Sequence, residues 1–130
     1  MKFTKIKETC LYVSDLDKCS EFYHGKLGLP IISRSDGRHI FFRAGESVLL
    51  CFIAEATKVD TRLPPHYGHG SLHMAFEVAV DNYEATMNEF HQLGIPITHE
   101  ETWENGTKSF YFEDPDGNVL EVVQIGMWGD

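Results

Sequence analysis

Leu27-Gly28-Leu29-Pro30-Ile31 recurs later in the chain as Leu93-Gly94-Ile95-Pro96-Ile97. An internal repeat restricts the architecture more than any single motif, because each copy must build the same unit. The pentapeptide reads as a helix end: Gly is placed for the left-handed region, Pro prevents the helix from resuming, and the last residue opens an extended segment. The match extends outward. Glu21-Phe22 and Glu89-Phe90 precede the two copies, and Glu8-Thr9-Cys10-Leu11-Tyr12-Val13 is patterned like His73-Met74-Ala75-Phe76-Glu77-Val78. Downstream, Ile40-Phe41-Phe42 corresponds to Phe110-Tyr111-Phe112.

Each half is predicted as strand, helix and three strands. In the first, residues 6–13 favour a strand, and Ser14 or Asp15 is placed to cap a helix. Leu16, Cys19, Phe22, Tyr23 and Leu27 then recur at helical spacing. Short strands are expected over 31–33, 39–43 and 48–53. In the second, the strand at 72–78 leads to a helix capped by Asp81, with Tyr83, Met87, Phe90 and Leu93 on one face. Strands over 96–99, 108–112 and 119–124 follow. Asp114-Pro115-Asp116-Gly117-Asn118 is a turn, since Pro sets one φ and Gly permits a positive one.

These elements predict an α+β fold. Two tandem βαβββ modules, 1–54 and 72–130, form one structural domain around a curved, half-open mixed sheet with a concave metal-binding cleft. Residues 55–71, with Pro64-Pro65 and Gly68-His69-Gly70, have linker composition and can serve as a lid. His66 and His69 lie there as H-x-x-H without a helix to align them, which favours a lid over a second metal site.

The 130 residues fit a single compact domain. A net charge of −9, with acids spread along the chain, argues against nucleic-acid binding, which usually needs a basic face. The chain has no apolar run of membrane-spanning length and no leader-like N-terminal segment, so a cytoplasmic location away from membranes is expected. The three cysteines, Cys10, Cys19 and Cys51, are odd in number and form no C-x-x-C pair. Buried free thiols are expected, not disulfides or a zinc finger.

Strand alternation sorts the polar residues. Glu8 shares a face with Cys10 and Tyr12, while Leu11 and Val13 turn to the helix. The repeat puts His73 where Glu8 stands in the first half. Glu121 shares a face with Val119 and Val123 in an otherwise apolar strand, where an unpaired carboxylate would cost several kcal/mol. Taken singly, a strand Glu usually sits at a solvated edge and a lone His is usually hydrogen-bonded or exposed. Together, three ligand-type residues at repeat-related inward positions point to one cation held by Glu8, His73 and Glu121.

The chain resembles the vicinal-oxygen-chelate superfamily, which includes glyoxalase I, fosfomycin-resistance proteins, bleomycin-binding proteins, methylmalonyl-CoA epimerases and extradiol dioxygenases. The likeness is carried by Leu11-Tyr12-Val13-Ser14-Asp15-Leu16, Phe22-Tyr23, Leu27-Gly28, His73-Met74-Ala75-Phe76 and Asp114 to Glu121, and it covers nearly the whole chain. It implies metal ligands at Glu8, His73 and Glu121, with Glu8 where many relatives carry His. A fourth ligand of glyoxalase I would fall at Leu50 or Cys51, and Leu50 cannot bind. The resemblance also implies a homodimer.

Two carboxylates and an imidazole suit one divalent ion among Zn, Ni, Mn, Fe, Co and Mg. Open coordination positions would accept a small substrate with adjacent oxygens, and Glu121 or Glu8 would act as the catalytic base. Tyr12, Arg43, Cys51, Lys108 and Tyr111 are candidates for substrate contacts. The leading expectation is a metal-dependent glyoxalase-like lyase or isomerase. The alternatives are a fosfomycin-resistance-like thiol or water transferase, an extradiol-type dioxygenase and a metal-free drug-binding resistance module. The transferase expects a basic cluster, and no such cluster is evident in the sequence. His24, His39, His91 and His99 read as surface residues.

Overall fold

A computed structural model of the chain describes residues 1–129. The chain divides into two compact units, one spanning Met1–Gly70 and the other running from Ser71 onward.

In the first unit, β1 (Glu8–Val13) leads to α1 (Leu16–Ser20), then to β2 (Ile31–Ser35), β3 (His39–Ala44) and β4 (Ser47–Ile53). The strands hydrogen-bond in the order β1-β4-β3-β2, with β1 parallel to β4 and the remaining pairs antiparallel. Asp15 starts the helix by accepting the backbone N–H groups of Asp17 at 2.9 Å and Lys18 at 3.0 Å. Beyond Ser20 the chain departs from the expected α-helix. Glu21–Lys26 forms a π-helical turn, in which Leu27 N–H donates to Phe22 C=O at 2.9 Å. The wider turn accompanies burial of two consecutive residues, Phe22 and Tyr23. Gly28 then takes φ 75°, which an L side chain rarely adopts. Leu11, Cys19, Tyr23, Ile40, Phe42, Leu49 and Cys51 form the core.

The linker-like segment is partly regular. Ala54–Lys58 forms a short helix, α2. The following residues are tied back to this unit by Arg38 donating to Asp60 at 2.8 Å and by a 2.6 Å hydrogen bond between Tyr12 Oη and His66 Nδ1.

The second unit repeats the plan with β5 (His73–Val78), α3 (Tyr83–Gln92), β6 (His99–Thr102), β7 (Lys108–Glu113) and β8 (Val119–Gln124), paired β5-β8-β7-β6. The fold is α+β, with two tandem βαβββ modules. Its strands hydrogen-bond as two four-stranded mixed sheets, one per unit. Three local expectations change. A 3-10 turn at Val80–Asn82 precedes α3, so Asp81 lies inside that turn and makes no capping bond. Leu93 is exposed, and the helix buries Tyr83, Met87 and Phe90. β6 starts at His99 because residues 96–98 serve as its approach, joined to β7 by Thr98 N–H donating to Tyr111 C=O at 2.8 Å.

Candidate functional site

The second unit fixes a His–Glu pair through its turn. Asp114 and Asn118 are both buried. Asp114 Oδ1 accepts the N–H groups of Asp116 and Asn118, each at 2.9 Å, and Asn118 Nδ2 donates to Asp114 Oδ2 at 2.8 Å. Asn118 Oδ1 accepts from Leu72 N–H at 3.2 Å, tying the start of β5 to the start of β8. Parallel pairing then sets His73 beside Val119 and Ala75 beside Glu121.

His73 Nδ1 lies 2.8 Å from Val119 O. A carbonyl only accepts, so Nδ1 carries a proton, and a ring with that single proton presents its lone pair at Nε2. That Nε2 stands 3.4 Å from Oε1 of Glu121. The separation is long for a charge-assisted hydrogen bond, which is about 2.7–2.9 Å. Two ligands each about 2.1 Å from a tetrahedral ion stand about 3.4 Å apart, so the pair fits a shared metal ion. A backbone carbonyl on the other ring nitrogen is also the usual support for a ligating His. Glu121 is buried with 7% of its surface exposed, whereas His73 is open to solvent. Across the ladder, Tyr111 faces Glu121. Burial, then the charge of Glu121 and a hydrogen bond to it, raises the Tyr111 hydroxyl above its usual range and keeps it protonated.

Glu8 lies on the first unit, at the rim of a cavity of about 730 Å³. Register builds its floor in rows across β1, β4 and β3. Glu8, Val48 and Arg43 form one row; Cys10, Leu50 and Phe41 the next; Tyr12, Phe52 and His39 the third. Arg62, Leu63, Pro64 and His66 complete the wall. Burial and then the charge of Arg38 lower the His39 pKa, so the ring is neutral near pH 7. Within each unit, among the described residues, no three His, Cys, Asp or Glu side chains gather to hold an ion.

A model of the glyoxalase/bleomycin resistance protein/dioxygenase superfamily matches residues 5–122. The chain belongs to this superfamily. It is 33% identical over 112 residues to the glutathione transferase FosA of Serratia marcescens, covering 86% of this chain and 74% of that one. It is 27% identical over 129 residues to the lactoylglutathione lyase of Haemophilus influenzae, covering 92% of each. A crystal structure of lactoylglutathione lyase from Agrobacterium tumefaciens superposes over 100% of both chains with a TM-score of 0.95 at 32% identity.

Within this superfamily frame, the structure brings His73, Glu121 and Tyr111 together, and places Glu8, Tyr12 and Arg43 on the cavity of the first unit. Two substrate candidates are corrected. Cys51 is fully buried and alternates with Leu50, so it faces the helix side with Leu49. Lys108 shares its side of β7 with Phe110 and Phe112, which pack on Phe90 of α3, and so faces away from Tyr111 and Glu121. The register also resolves the fourth-ligand position. Cys10 pairs with Leu50 as Ala75 pairs with Glu121, so the counterpart of Glu121 is the apolar Leu50.

Sequence reading named Tyr12 and Arg43 but missed the rest of the cationic and aromatic wall of the first cavity. Arg38, Arg43 and Arg62 line it together, and His39 is half-buried there, not a surface residue. The alternation His39, Phe41, Arg43 contained part of that signal. Arg62 and His66 join only because the chain after α2 turns back. The described residues contain no helix long and apolar enough to cross a membrane.

Proposed function

We propose that the chain is a divalent-metal-dependent enzyme, a glyoxalase-like lyase or isomerase acting on a small substrate with adjacent oxygens. The ligands in this reading are His73 and Glu121 of the second unit and Glu8 of a first unit, with Glu8 supplied by the same chain or by a partner in a homodimer. The observation that carries the reading is the 3.4 Å approach of His73 Nε2 to Glu121 Oε1 with Nδ1 committed to Val119 O.

When bound, such an ion supplies Lewis acidity to the substrate oxygens. Glu121 or Glu8 takes and returns the substrate proton as general base and acid. The protonated Tyr111 hydroxyl donates toward Glu121 and orients its carboxylate. Residues 55–71 act as a lid on the first unit. The apolar Leu50 leaves this chain with three ligands where glyoxalase I has four.

Elemental analysis of the purified full chain tests the metal, and turnover of a lactoylglutathione-type thiol adduct tests the reaction. The expected result is bound divalent metal, lost together with turnover in Glu121→Gln. Unchanged turnover in that variant would overturn the reading.

A second reading, thiol transfer as in FosA, is favoured by the three arginines around the first cavity and by the 33% identity. It predicts glutathione consumption with an epoxide phosphonate in place of thiol-adduct isomerisation.

A further inference from the structure

Arg38 is already committed: it donates to Asp60 Oδ2 at 2.8 Å and to His39 Nδ1 at 2.6 Å. The guanidinium groups of Arg43 and Arg62 have no ion pair or hydrogen bond among the described residues. Glu8 is the one carboxylate on that wall. If Glu8 serves a metal ion, two positive groups face the cavity uncompensated, in a chain whose net charge is −9.

The floor beside them is aromatic and ordered. His39 stacks on Phe41 with centroids 4.0 Å apart and planes 10° off parallel. Phe52 meets both edge-on, at 6.0 Å from His39 and 5.4 Å from Phe41, and His66 meets Phe52 edge-on at 4.7 Å. A flat ring extends such an array by stacking or edge contact, and guanidinium planes stack on rings as well. An aliphatic anion would leave the ring faces to water. A neutral aromatic would leave both guanidiniums without a counter-charge.

We propose that the cavity of the first unit binds an anion with a flat aromatic body, its charge met by Arg43 and Arg62 and its ring by Phe41, Phe52 and His39. Such an anion is a substrate class for the enzyme proposed above, and its place rests on that reading for the reacting oxygens lying beside Glu8.

The test is calorimetric and fluorescence titration of the full chain with 1-naphthylacetate, 1-naphthylacetamide and methylphosphonate, with metal content measured on the same samples. The acid is expected to bind with Kd below about 1 mM, and the amide and the phosphonate about tenfold or more weaker. Arg43→Gln and Phe41→Leu, each checked for folding by circular dichroism, are expected to weaken the acid about tenfold and about threefold. Equal binding of acid and amide, equal binding of acid and phosphonate, or wild-type affinity in both variants overturns the proposal. Metal-loaded protein that does not bind the acid overturns this proposal alone. Protein that takes up no metal yet binds the acid supports it and overturns only the metal reading.

Discussion

Where β8 of the second unit carries Glu121, β4 of the first carries Leu50, at the same step of the same ladder. The two units share strand order and pairing directions, yet the equivalent faces have diverged. One holds a His–Glu pair supported by Tyr111; the other holds an apolar and aromatic floor rimmed by arginines. Backbone architecture in such a repeat depends on the helix-facing residues, which are mostly apolar in both units. The opposite face is under no such demand, so the two halves can carry different side chains there.

The largest effect that would break this division comes from giving the second unit the first unit's residue. Glu121→Leu is expected to lose bound metal and about 100-fold or more of turnover, while Leu50→Ala keeps its metal. Elemental analysis with initial rates checks both, and equal metal loss in the two variants would erase the asymmetry.

The turns preceding β8 and β4 should differ next. Asn118→Ala removes buried hydrogen bonds to Asp114 and Leu72 and is expected to cost about 2–3 kcal/mol in urea unfolding. Glu46→Ala, in the corresponding turn of the first unit, loses only an exposed contact with Lys5 and is expected to leave the midpoint nearly unchanged.

A smaller effect concerns the segment that only the first unit possesses. A Cβ at Gly68 would lie 2.7 Å from Tyr12 Cε2, so Gly68→Ala must displace the chain or the ring. The expected cost is about 1 kcal/mol, with faster proteolysis over residues 59–69 and no change in metal content.

The smallest is a pH effect at the same place. Arg38, and then the N–H groups of Leu63 and Arg62, hold the Asp60 carboxyl at about 2, below its ordinary 3.8. A depressed carboxylate contributes stability that is complete above pH 3.8 and lost as the pH falls through about 2. Protection against hydrogen exchange over residues 59–69, measured against the intrinsic rate at each pH, should therefore fall between pH 4 and pH 2 in the native chain. In Asp60→Asn that protection should already be lower and should depend less on pH in that range.

Much of the fold could be read from particular residues. Gly28 and Gly94, each with a proline two residues on, marked the two helix ends, and both take positive φ. Alternation placed Leu11 and Val13 on the helix side and Glu8 and Tyr12 on the open side. The π-helical turn was not legible, since Phe22, Tyr23 and Leu27 satisfy a 3.6-residue period nearly as well. Asp81 failed as a cap because a 3-10 turn precedes α3, a choice made by packing and not by the residue's own preference. Cys51 and Lys108 were misjudged for one reason: their chemistry suits a site, but strand parity turns them away from it.

By itself the sequence determined the repeated βαβββ order, because turn residues and hydrophobic period act locally and are present in both halves. It also drew attention to His73, which stands where Glu8 stands in the first half, and to Glu121, a lone carboxylate in an apolar strand. Tertiary structure alone decided that His73 Nδ1 is taken by Val119 O, leaving Nε2 toward Glu121. It alone brought Arg38, Arg43, Arg62 and His66 around one cavity. Both outcomes depend on contacts between residues far apart in sequence, and neither local propensity nor periodicity encodes their distances.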